Sequence, residues 1–258
     1  MEMRVSESRP RCAVDPQAVL FDFGGTLLHE GTNDLRGGVE ALTRHPLFTA
    51  GREDRGPGDR GLDTLVGTLS RECDRVHVTN LAGFTMIGWL RDLLPSAKAN
   101  ELAELELALW TAATSMSLLP GVLEVLTELR NRRILLGVVS NSVFSSRVIA
   151  AELRRHGLDG FFKFVLSSAD VGARKPDPRI FREALDRLKL EASGVWFAGD
   201  AWEKDVTGAA AAGMLPFWLS DAAPPAGSTP PHRRIRSWRE FLDHLERGDP
   251  GIDTTEPA

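Results

Sequence analysis

Short apolar runs alternate along this chain with longer segments whose apolar residues recur at helical spacing. Each run ends in small or acidic residues, which is typical of a buried strand that leads into a loop. The predicted strands cover residues 18–23, 134–139, 161–166, 195–198 and 215–219. The predicted helices between them cover residues 122–130, 143–156, 178–188 and 205–212. Because parallel strands need crossover helices and are apolar on both faces, the pattern predicts an α/β fold with a parallel sheet.

The first two predicted strands are separated by roughly 110 residues, far more than a crossover connection needs. We therefore predict an inserted, mainly helical cap domain over residues 31–118, with a core domain formed by residues 17–30 and 119–246. Within the insertion, residues 31–61 are rich in Gly, Arg and Asp and are predicted to be irregular, whereas residues 62–118 have helical composition. The polar ends, residues 1–16 and 247–258, are predicted to be flexible tails.

Polar side chains follow four of the predicted strands, at the sheet edge where open α/β folds bind ligands. Taken singly, each has an ordinary explanation as a turn residue, a helix cap or a surface charge. Together they bring three carboxylates, a hydroxyl, an amide and an ammonium group to one edge, which folding alone does not require. In chain order these residues are Asp22, Ser140, Asn141, Lys175, Asp200 and Asp205.

Three converging carboxylates repel one another unless a cation neutralises them. Hard oxygen ligands select Mg²⁺, which can also hold a phosphate oxygen. The ammonium of Lys175 and the hydroxyl of Ser140 can then contact the remaining phosphoryl oxygens. Asp22 is the natural nucleophile because an aspartate can form an aspartyl-phosphate intermediate.

Composition narrows the classes of partner. The net charge of −5 gives no general attraction to nucleic acid, so we expect none as a partner. The two cysteines, Cys12 and Cys73, are too few for a disulfide framework and lack zinc-site spacing, and no stretch of about 18 apolar residues predicts a membrane span. We therefore expect a soluble cytoplasmic protein that does not bind membranes. Nothing in the sequence indicates its oligomeric state.

Four segments, in order, resemble the four motifs of the haloacid dehalogenase-like (HAD) hydrolase superfamily. They are FDFGGTL, VVSNS, the Lys175-Pro176 segment and GDAWEKDVTGAAAAGM, whose GDxxxxD form is the most specific. The resemblance extends from Ala18 to Leu219 and implies a Rossmann-like parallel sheet. The insertion after the first motif is similar to the helical cap of the C1 subclass.

The resemblance also implies a role for each matched residue. Asp22 would be nucleophile and Mg²⁺ ligand, the Gly24 carbonyl and Asp200 would be further ligands, and Asp205 would support the metal or Lys175. Ser140 and the Asn141 backbone would bind the phosphoryl group, while Lys175 would balance charge on Asp22 and the phosphoryl oxygens. The predicted substrate-binding loop after the nucleophile consists of Gly24, Gly25 and Thr26.

The first motif departs from the family pattern at Gly24. Phosphatases of this family usually carry a second Asp two residues after the nucleophile, which serves as general acid and then as general base. A positioned acid or base contributes about 10² to 10⁴ in rate. The carbonyl of Gly24 can still bind a metal, but the residue has no side chain to transfer a proton.

Three hypotheses follow from this departure. The preferred one is a Mg²⁺-dependent phosphatase of a small phosphorylated metabolite, with the acid replaced by a cap residue, by water or by a good leaving group. His29 and Glu30 are close in sequence, although such loop residues are more often only solvated. The second hypothesis is a phospholigand-binding protein without turnover. The third is a 2-haloacid dehalogenase, which also lacks the second Asp, but the retained GDxxxxD pattern argues against it.

Overall fold

A computed structural model describes residues 15–49, 59–79, 83–226 and 230–247 of the 258-residue chain. Most of the two predicted tails, together with residues 50–58, 80–82 and 227–229, lies outside these ranges. The strands are β1 (Ala18–Phe21), β2 (Leu28–Asn33), β3 (Thr114–Leu118), β4 (Leu135–Ser140), β5 (Phe164–Ser167), β6 (Val195–Gly199), β7 (Leu215–Leu219) and β8 (Arg233–Ile235).

Helices cover the sheet and form most of the insertion. They are α1 (Leu35–Arg44), α2 (Pro46–Thr49), α3 (Asp59–Thr79), α4 (Met86–Leu93), α5 (Ala99–Ala113), α6 (Val122–Asn131), α7 (Ser146–Arg155), α8 (Ser168–Val171), α9 (Pro178–Leu188), α10 (Thr207–Ala211) and α11 (Trp238–Arg247). A 3₁₀ turn (Ala192–Gly194) precedes β6, and one π-helical turn (Trp202–Val206) leads into α10. Among the described segments, no helix is long and apolar enough to cross a membrane.

Six strands form one parallel sheet in the order β5-β4-β1-β6-β7-β8. Successive side chains of a strand point to opposite faces, so β1 contributes to two separate hydrophobic clusters. Val19 and Phe21 pack with residues of α6 and α11, whereas Ala18 and Leu20 pack with residues of α9. A central strand buried on both faces confirms the predicted α/β, Rossmann-like parallel sheet.

The predicted elements of the sheet are present, with shifts at their ends. β7 and α9 have the predicted bounds, whereas β5 begins at Phe164, three residues later than predicted. Phe161 and Phe162, which the predicted strand included, are half-buried in the turn before it against the core, so their apolar character does not require a strand. The segment predicted as helix 205–212 instead begins with the π-helical turn.

The helices of the insertion have a hydrophobic cluster of their own, which includes Val39, Leu69, Leu90 and Leu105. The prediction of irregular structure is wrong for α1 and α2, while residues 50–58 are outside the described ranges. The Asp34 side chain caps α1 by accepting from the Gly37 amide. A glycine in this helix had suggested a loop, but a Cβ at Gly38 would overlap Ala113 of α5, so the glycine permits close helix packing.

A two-stranded antiparallel sheet of β2 and β3, which we did not predict, connects the insertion to the core. Leu28 pairs with Leu118, and the Leu119 amide donates to the Leu27 carbonyl at 3.1 Å. The two chain crossings between core and insertion therefore lie side by side. Because β2 crosses the predicted boundary after residue 30 and β3 ends at the one after residue 118, the exact domain division stays a prediction.

Candidate active site

The carboxyl ends of β1, β4 and β6 open into one cleft of about 760 Å³ between the sheet and the helices of the insertion. Asp22 follows β1, and its amide donates to the Ala198 carbonyl of β6 at 2.9 Å. The sheet pairing therefore continues to the candidate nucleophile and fixes its backbone. Most of the predicted site residues line this cleft, namely Asp22, Gly24, Gly25, Ser140, Asn141, Lys175, Asp200 and Asp205.

Lys175 lies between two carboxylates and is almost fully buried, with 1% of its surface exposed. Its Nζ is 2.5 Å from Asp22 Oδ1 and 2.6 Å from Asp205 Oδ1. Burial alone would lower the pKa of Lys175, but the charges of Asp205 and Asp22 outweigh burial and raise the pKa above its ordinary value. The ammonium therefore stays charged and balances the two carboxylates, as a buried charge requires.

Asn141 lines the cleft, and its side chain also holds the backbone of Lys175 in place. Its side-chain Nδ2 donates to the Lys175 carbonyl at 2.9 Å, and its Oδ1 accepts from the Lys175 amide at 2.7 Å. This reciprocal pair links the ends of β4 and the loop before α9. Ser140 precedes it as the last residue of β4 and is buried at the edge of the cleft.

Asp200 approaches the nucleophile loop closely because Gly25 has no side chain. Gly25 has a φ of 76°, which favours glycine, and a Cβ there would lie 2.8 Å from Asp200 Cγ. The buried Thr26 hydroxyl donates to Asp22 Oδ2 at 3.3 Å and faces Asp200 Oδ1 at 3.4 Å. Burial, and then the charge of Asp22, raise the pKa of Asp200 above its ordinary value.

Asp205 lies in the π-helical turn after Asp200, a type of turn that is often found at functional sites. Its Oδ1 contacts Lys175, and its Oδ2 accepts from the Ala201 amide at 2.9 Å. Burial raises the pKa of Asp205, and the positive charge of Lys175 opposes that effect. Oδ2 thus has a hydrogen bond, while the buried Oδ1 accepts none from the described residues and has only its ion pair with Lys175, which favours a role in holding Lys175 and leaves this oxygen available to a cation.

The acidic cluster has the donor set that a hard divalent cation requires. Asp22, Asp200 and Asp205 each offer one carboxylate oxygen, and these three atoms lie within 4.8 Å of one another. Carboxylate oxygens are ligands that Mg²⁺ prefers, and a cation would relieve the repulsion between Asp22 and Asp200. The residues present therefore fit a Mg²⁺ site.

Two tryptophan side chains donate hydrogen bonds to backbone carbonyls of the site loops, and neither residue was predicted from the sequence. Trp218 Nε1 donates to the Asp200 carbonyl at 2.9 Å, and Trp238 Nε1 donates to the Thr26 carbonyl at 3.1 Å. Each lies in or after a strand far along the chain and gives no local signal of its partner. Only the order of strands in the sheet brings them beside the loops after β1 and β6.

The insertion contributes the opposite wall of the cleft, including Cys73, His77 and Trp110, and His29 of β2 also lines it. Burial, assisted by the neighbouring acidic residues, raises the pKa of the Cys73 thiol to about 11. Trp110 also binds the core, because its Nε1 donates to Glu152 Oε2 at 2.9 Å. Trp89 is instead packed in the hydrophobic cluster of the insertion.

A parallel sheet with an acidic cluster at its carboxyl edge defines a Rossmann-like α/β protein with a candidate cation-binding site. The family model described as haloacid dehalogenase-like hydrolase matches residues 16–213. The chain therefore belongs to the haloacid dehalogenase-like hydrolases, which confirms the predicted superfamily.

Individual relatives match over part of the chain. A haloacid dehalogenase-like hydrolase domain-containing protein 3 from Mus musculus is 36% identical over 54% of this chain and 53% of its own length. A phosphoserine phosphatase from Thermus thermophilus is 33% identical over 56% of this chain and 57% of its own. The chain thus spans about half the length of the curated relatives it matches.

Solved structures match over most of the chain. A HAD phosphatase from Thermococcus onnurineus has a TM-score of 0.57 and 24% identity, covering 88% of this chain and 97% of its own. A 2-haloacid dehalogenase from Pseudomonas syringae pv. tomato has a TM-score of 0.59 and 25% identity, covering 90% and 99%. The fold is shared by a phosphatase and a dehalogenase, so the choice of reaction must come from the site residues.

Proposed function

We propose that this protein is a Mg²⁺-dependent phosphatase that acts on a small phosphorylated metabolite through an aspartyl-phosphate on Asp22. The observation that carries the proposal is the arrangement around Asp22. One carboxylate oxygen is paired with Lys175, and the other faces Thr26 beside Asp200 at the base of the cleft. The presence of phosphatases among the relatives supports the same class of reaction.

In the first step, an oxygen of Asp22 attacks phosphorus and the bond from phosphorus to the leaving-group oxygen breaks. The leaving oxygen takes up a proton as it departs. Lys175 holds Asp22 in place, and its positive charge stabilises the phosphoryl oxygens as negative charge moves onto them. Water then attacks the phosphorus of the aspartyl-phosphate, which releases inorganic phosphate and regenerates the Asp22 carboxylate.

The remaining residues bind the phosphoryl group or position those that do. The Ser140 hydroxyl can donate to a phosphoryl oxygen, while Asn141 fixes the backbone that carries Lys175. Asp22, Asp200 and the Gly24 carbonyl would hold Mg²⁺, with Asp205 supporting the site through Lys175. When bound, Mg²⁺ supplies positive charge to the phosphoryl oxygens.

The acidic cluster favours this reaction over dehalogenation. Displacement of a halide from carbon by Asp22 would need neither a metal nor the two further carboxylates of Asp200 and Asp205. Here those carboxylates are held in place by Thr26, Ala201 and Lys175. Such a built acidic cluster is consistent with a cation-assisted reaction at phosphorus.

The test is phosphate release from p-nitrophenyl phosphate, acetyl phosphate and sugar phosphates, with Mg²⁺ and with EDTA. We expect Mg²⁺-dependent turnover in the wild type and none in Asp22→Asn, with Glu124→Gln on the exposed face of α6 as the control. Tight binding of phosphate esters without phosphate release would instead favour a binding protein. Metal-independent halide release from a 2-haloacid would favour the dehalogenase.

A further inference from the structure

We propose that the carboxylate of Glu30 transfers the protons that the side chain of residue 24 cannot, acting as general acid and then as general base. This inference rests on the phosphatase function proposed above. It starts from the space beside Gly24. An ideal Cβ built on Gly24 would overlap Glu30 Oε1 and would lie 3.3 Å from Glu30 Cδ and 3.6 Å from Glu30 Cγ.

The three atoms nearest to this Cβ position all belong to the Glu30 side chain. A carboxylate therefore occupies the volume into which a side chain at position 24 would project, although it comes from six residues further along the chain. A Cβ at position 24 and the present position of Glu30 exclude each other. The Glu30 carboxylate, as the end of a flexible side chain, would have to move aside before a larger residue could occupy position 24.

Backbone pairing, rather than an unconstrained loop, positions Glu30. The Gly25 amide donates to the Leu28 carbonyl at 2.8 Å, so the chain turns back on itself directly after the nucleophile. Glu30 then lies in β2, where it pairs with Met116 of β3. These hydrogen bonds place β2 above the nucleophile loop, and Glu30 lines the same cleft as Asp22 and Lys175.

The Glu30 carboxylate is also not committed to a structural interaction. Glu106 and Glu152 are buried and accept hydrogen bonds from neighbouring groups. Glu30, by contrast, is exposed to the cleft, and within the part of the chain that the structure describes it has no hydrogen-bond or ion-pair partner. A solvated surface glutamate would share this exposure, but it would not need to fill the space beside Gly24.

One carboxyl group can supply the proton needed in the first step and take up the proton released in the second. Protonated Glu30 gives its proton to the leaving-group oxygen as the bond to phosphorus breaks and Asp22 becomes phosphorylated. The resulting carboxylate then takes a proton from the water that attacks the aspartyl-phosphate. Inorganic phosphate leaves, and Glu30 is protonated again for the next cycle.

The experiment compares Glu30→Gln, Glu30→Ala and Glu30→Ala/Gly24→Asp in the full-length protein with Mg²⁺. Glu30→Gln keeps the size of the side chain and removes its acid, so we expect kcat to fall by about 10²- to 10⁴-fold. The fall in kcat/KM should be larger for an alkyl phosphate than for p-nitrophenyl phosphate, whose leaving group needs no proton. Glu124→Gln, an exposed glutamate on α6 outside the cleft, is the matched control and should turn over at the wild-type rate.

The double variant separates proton transfer from a structural effect. Removing Glu30 clears the space beside residue 24. The kcat of Glu30→Ala/Gly24→Asp should therefore be at least about tenfold higher than that of Glu30→Ala. An equal loss of kcat/KM on both substrates, without this rescue, would overturn the inference and indicate a structural role for Glu30.

Failure of the inference and of the phosphatase function give different results. If Asp22→Asn abolishes turnover while Glu30→Gln retains the wild-type rate on both substrates, the phosphatase stands and Glu30 is not its acid. If Asp22→Asn turns over at the wild-type rate, no aspartyl-phosphate forms on Asp22, and both proposals are wrong.

Discussion

Glu106 joins the insertion to the core through a fully buried carboxylate, and replacing it tests how the two regions are held together. It lies in α5, and its Oε1 accepts from the Ser145 amide at 2.8 Å. Its Oε2 accepts from the Ser145 hydroxyl at 2.5 Å. Ser145 is the N-cap of α7 and makes no capping hydrogen bond with its own side chain. Glu106 therefore satisfies a donor near the start of α7 from across the interface.

Two substitutions separate the hydrogen bonds from the charge. Glu106→Ala leaves two partly buried donors of Ser145 without this acceptor, and each such loss costs at most about 1–3 kcal/mol. We expect the free energy of unfolding to fall by about 2–5 kcal/mol once the small cavity is included. Glu106→Gln keeps an acceptor for the Ser145 amide and can donate to the Ser145 hydroxyl, so its cost at low pH should be below about 1 kcal/mol.

The charge of Glu106 gives these variants a pH dependence with a defined sign. Burial raises the pKa of Glu106 above its ordinary value of 4.5, although the hydrogen bonds from Ser145 oppose the shift. Asp170 adds to the rise and Arg147 opposes it. A raised folded-state pKa contributes stability that is fully present below about pH 4.5 and is lost as the pH rises through the folded value. The stability of wild type relative to Glu106→Gln should therefore fall above pH 4.5.

The assay is urea unfolding followed by tryptophan fluorescence between about pH 4.5 and pH 8, where one titrating group changes stability by at most about 1.4 kcal/mol per pH unit. The control is Glu104→Gln, an exposed residue of the same helix whose contact with His45 is 3.6 Å. It should change stability by less than about 1 kcal/mol. The reasoning is refuted if Glu106→Ala is no less stable than this control, or if wild type gains stability over Glu106→Gln as the pH rises.

Two further predictions concern Lys175 and Cys73. Lys175→Met leaves Asp22 and Asp205 buried without their shared cation, so unfolding in EDTA should show a loss of about 3–5 kcal/mol, and Mg²⁺ should stabilise the variant more than the wild type. Unchanged stability in EDTA would contradict this account of the ion pairs. For Cys73, a pKa of about 11 means that the native thiol of a Cys12→Ser variant should react slowly with a disulfide reagent at neutral pH. The rate should rise about tenfold per pH unit, and a plateau near pH 9 would show that the thiol titrates normally.

The sheet was predictable because its strands are short apolar runs that alternate with helices, a pattern typical of parallel α/β sheets. The same logic found the acidic residues of the site, since polar side chains at strand ends converge at one edge. More than 150 residues separate Asp22 from Lys175, and about 25 separate Lys175 from Asp200, yet all three line one cleft. Strand order, which the sequence pattern does not specify, creates the contacts of Trp218 and Trp238 behind them.

The two-stranded sheet of β2 and β3 was not predictable from the same signals. β2 reads LHEGTN, which has neither β-branched runs nor alternation, and five of its six residues are exposed. β3 does alternate, because Met116 and Leu118 are half-buried between more exposed residues, but five residues inside a helical region are a weak signal. α1 was missed because its two glycines resemble a loop in the sequence, whereas Gly38 permits close packing on α5. In each case a long-range contact outweighs the local preference.

The β2–β3 sheet, which was not predicted, and the unusual Gly24 are connected through Glu30. Read along the chain, Gly24 is a lost side chain and Glu30 is an ordinary polar residue six positions later. Once the Gly25 amide pairs with Leu28 and β2 pairs with β3, the backbone brings the Glu30 carboxylate into the space that Gly24 leaves open. Proton transfer requires a group at a position in space, not at a position in sequence. A site can therefore lack the expected residue and still keep a carboxylate where the chemistry needs it, provided that the fold returns one from elsewhere.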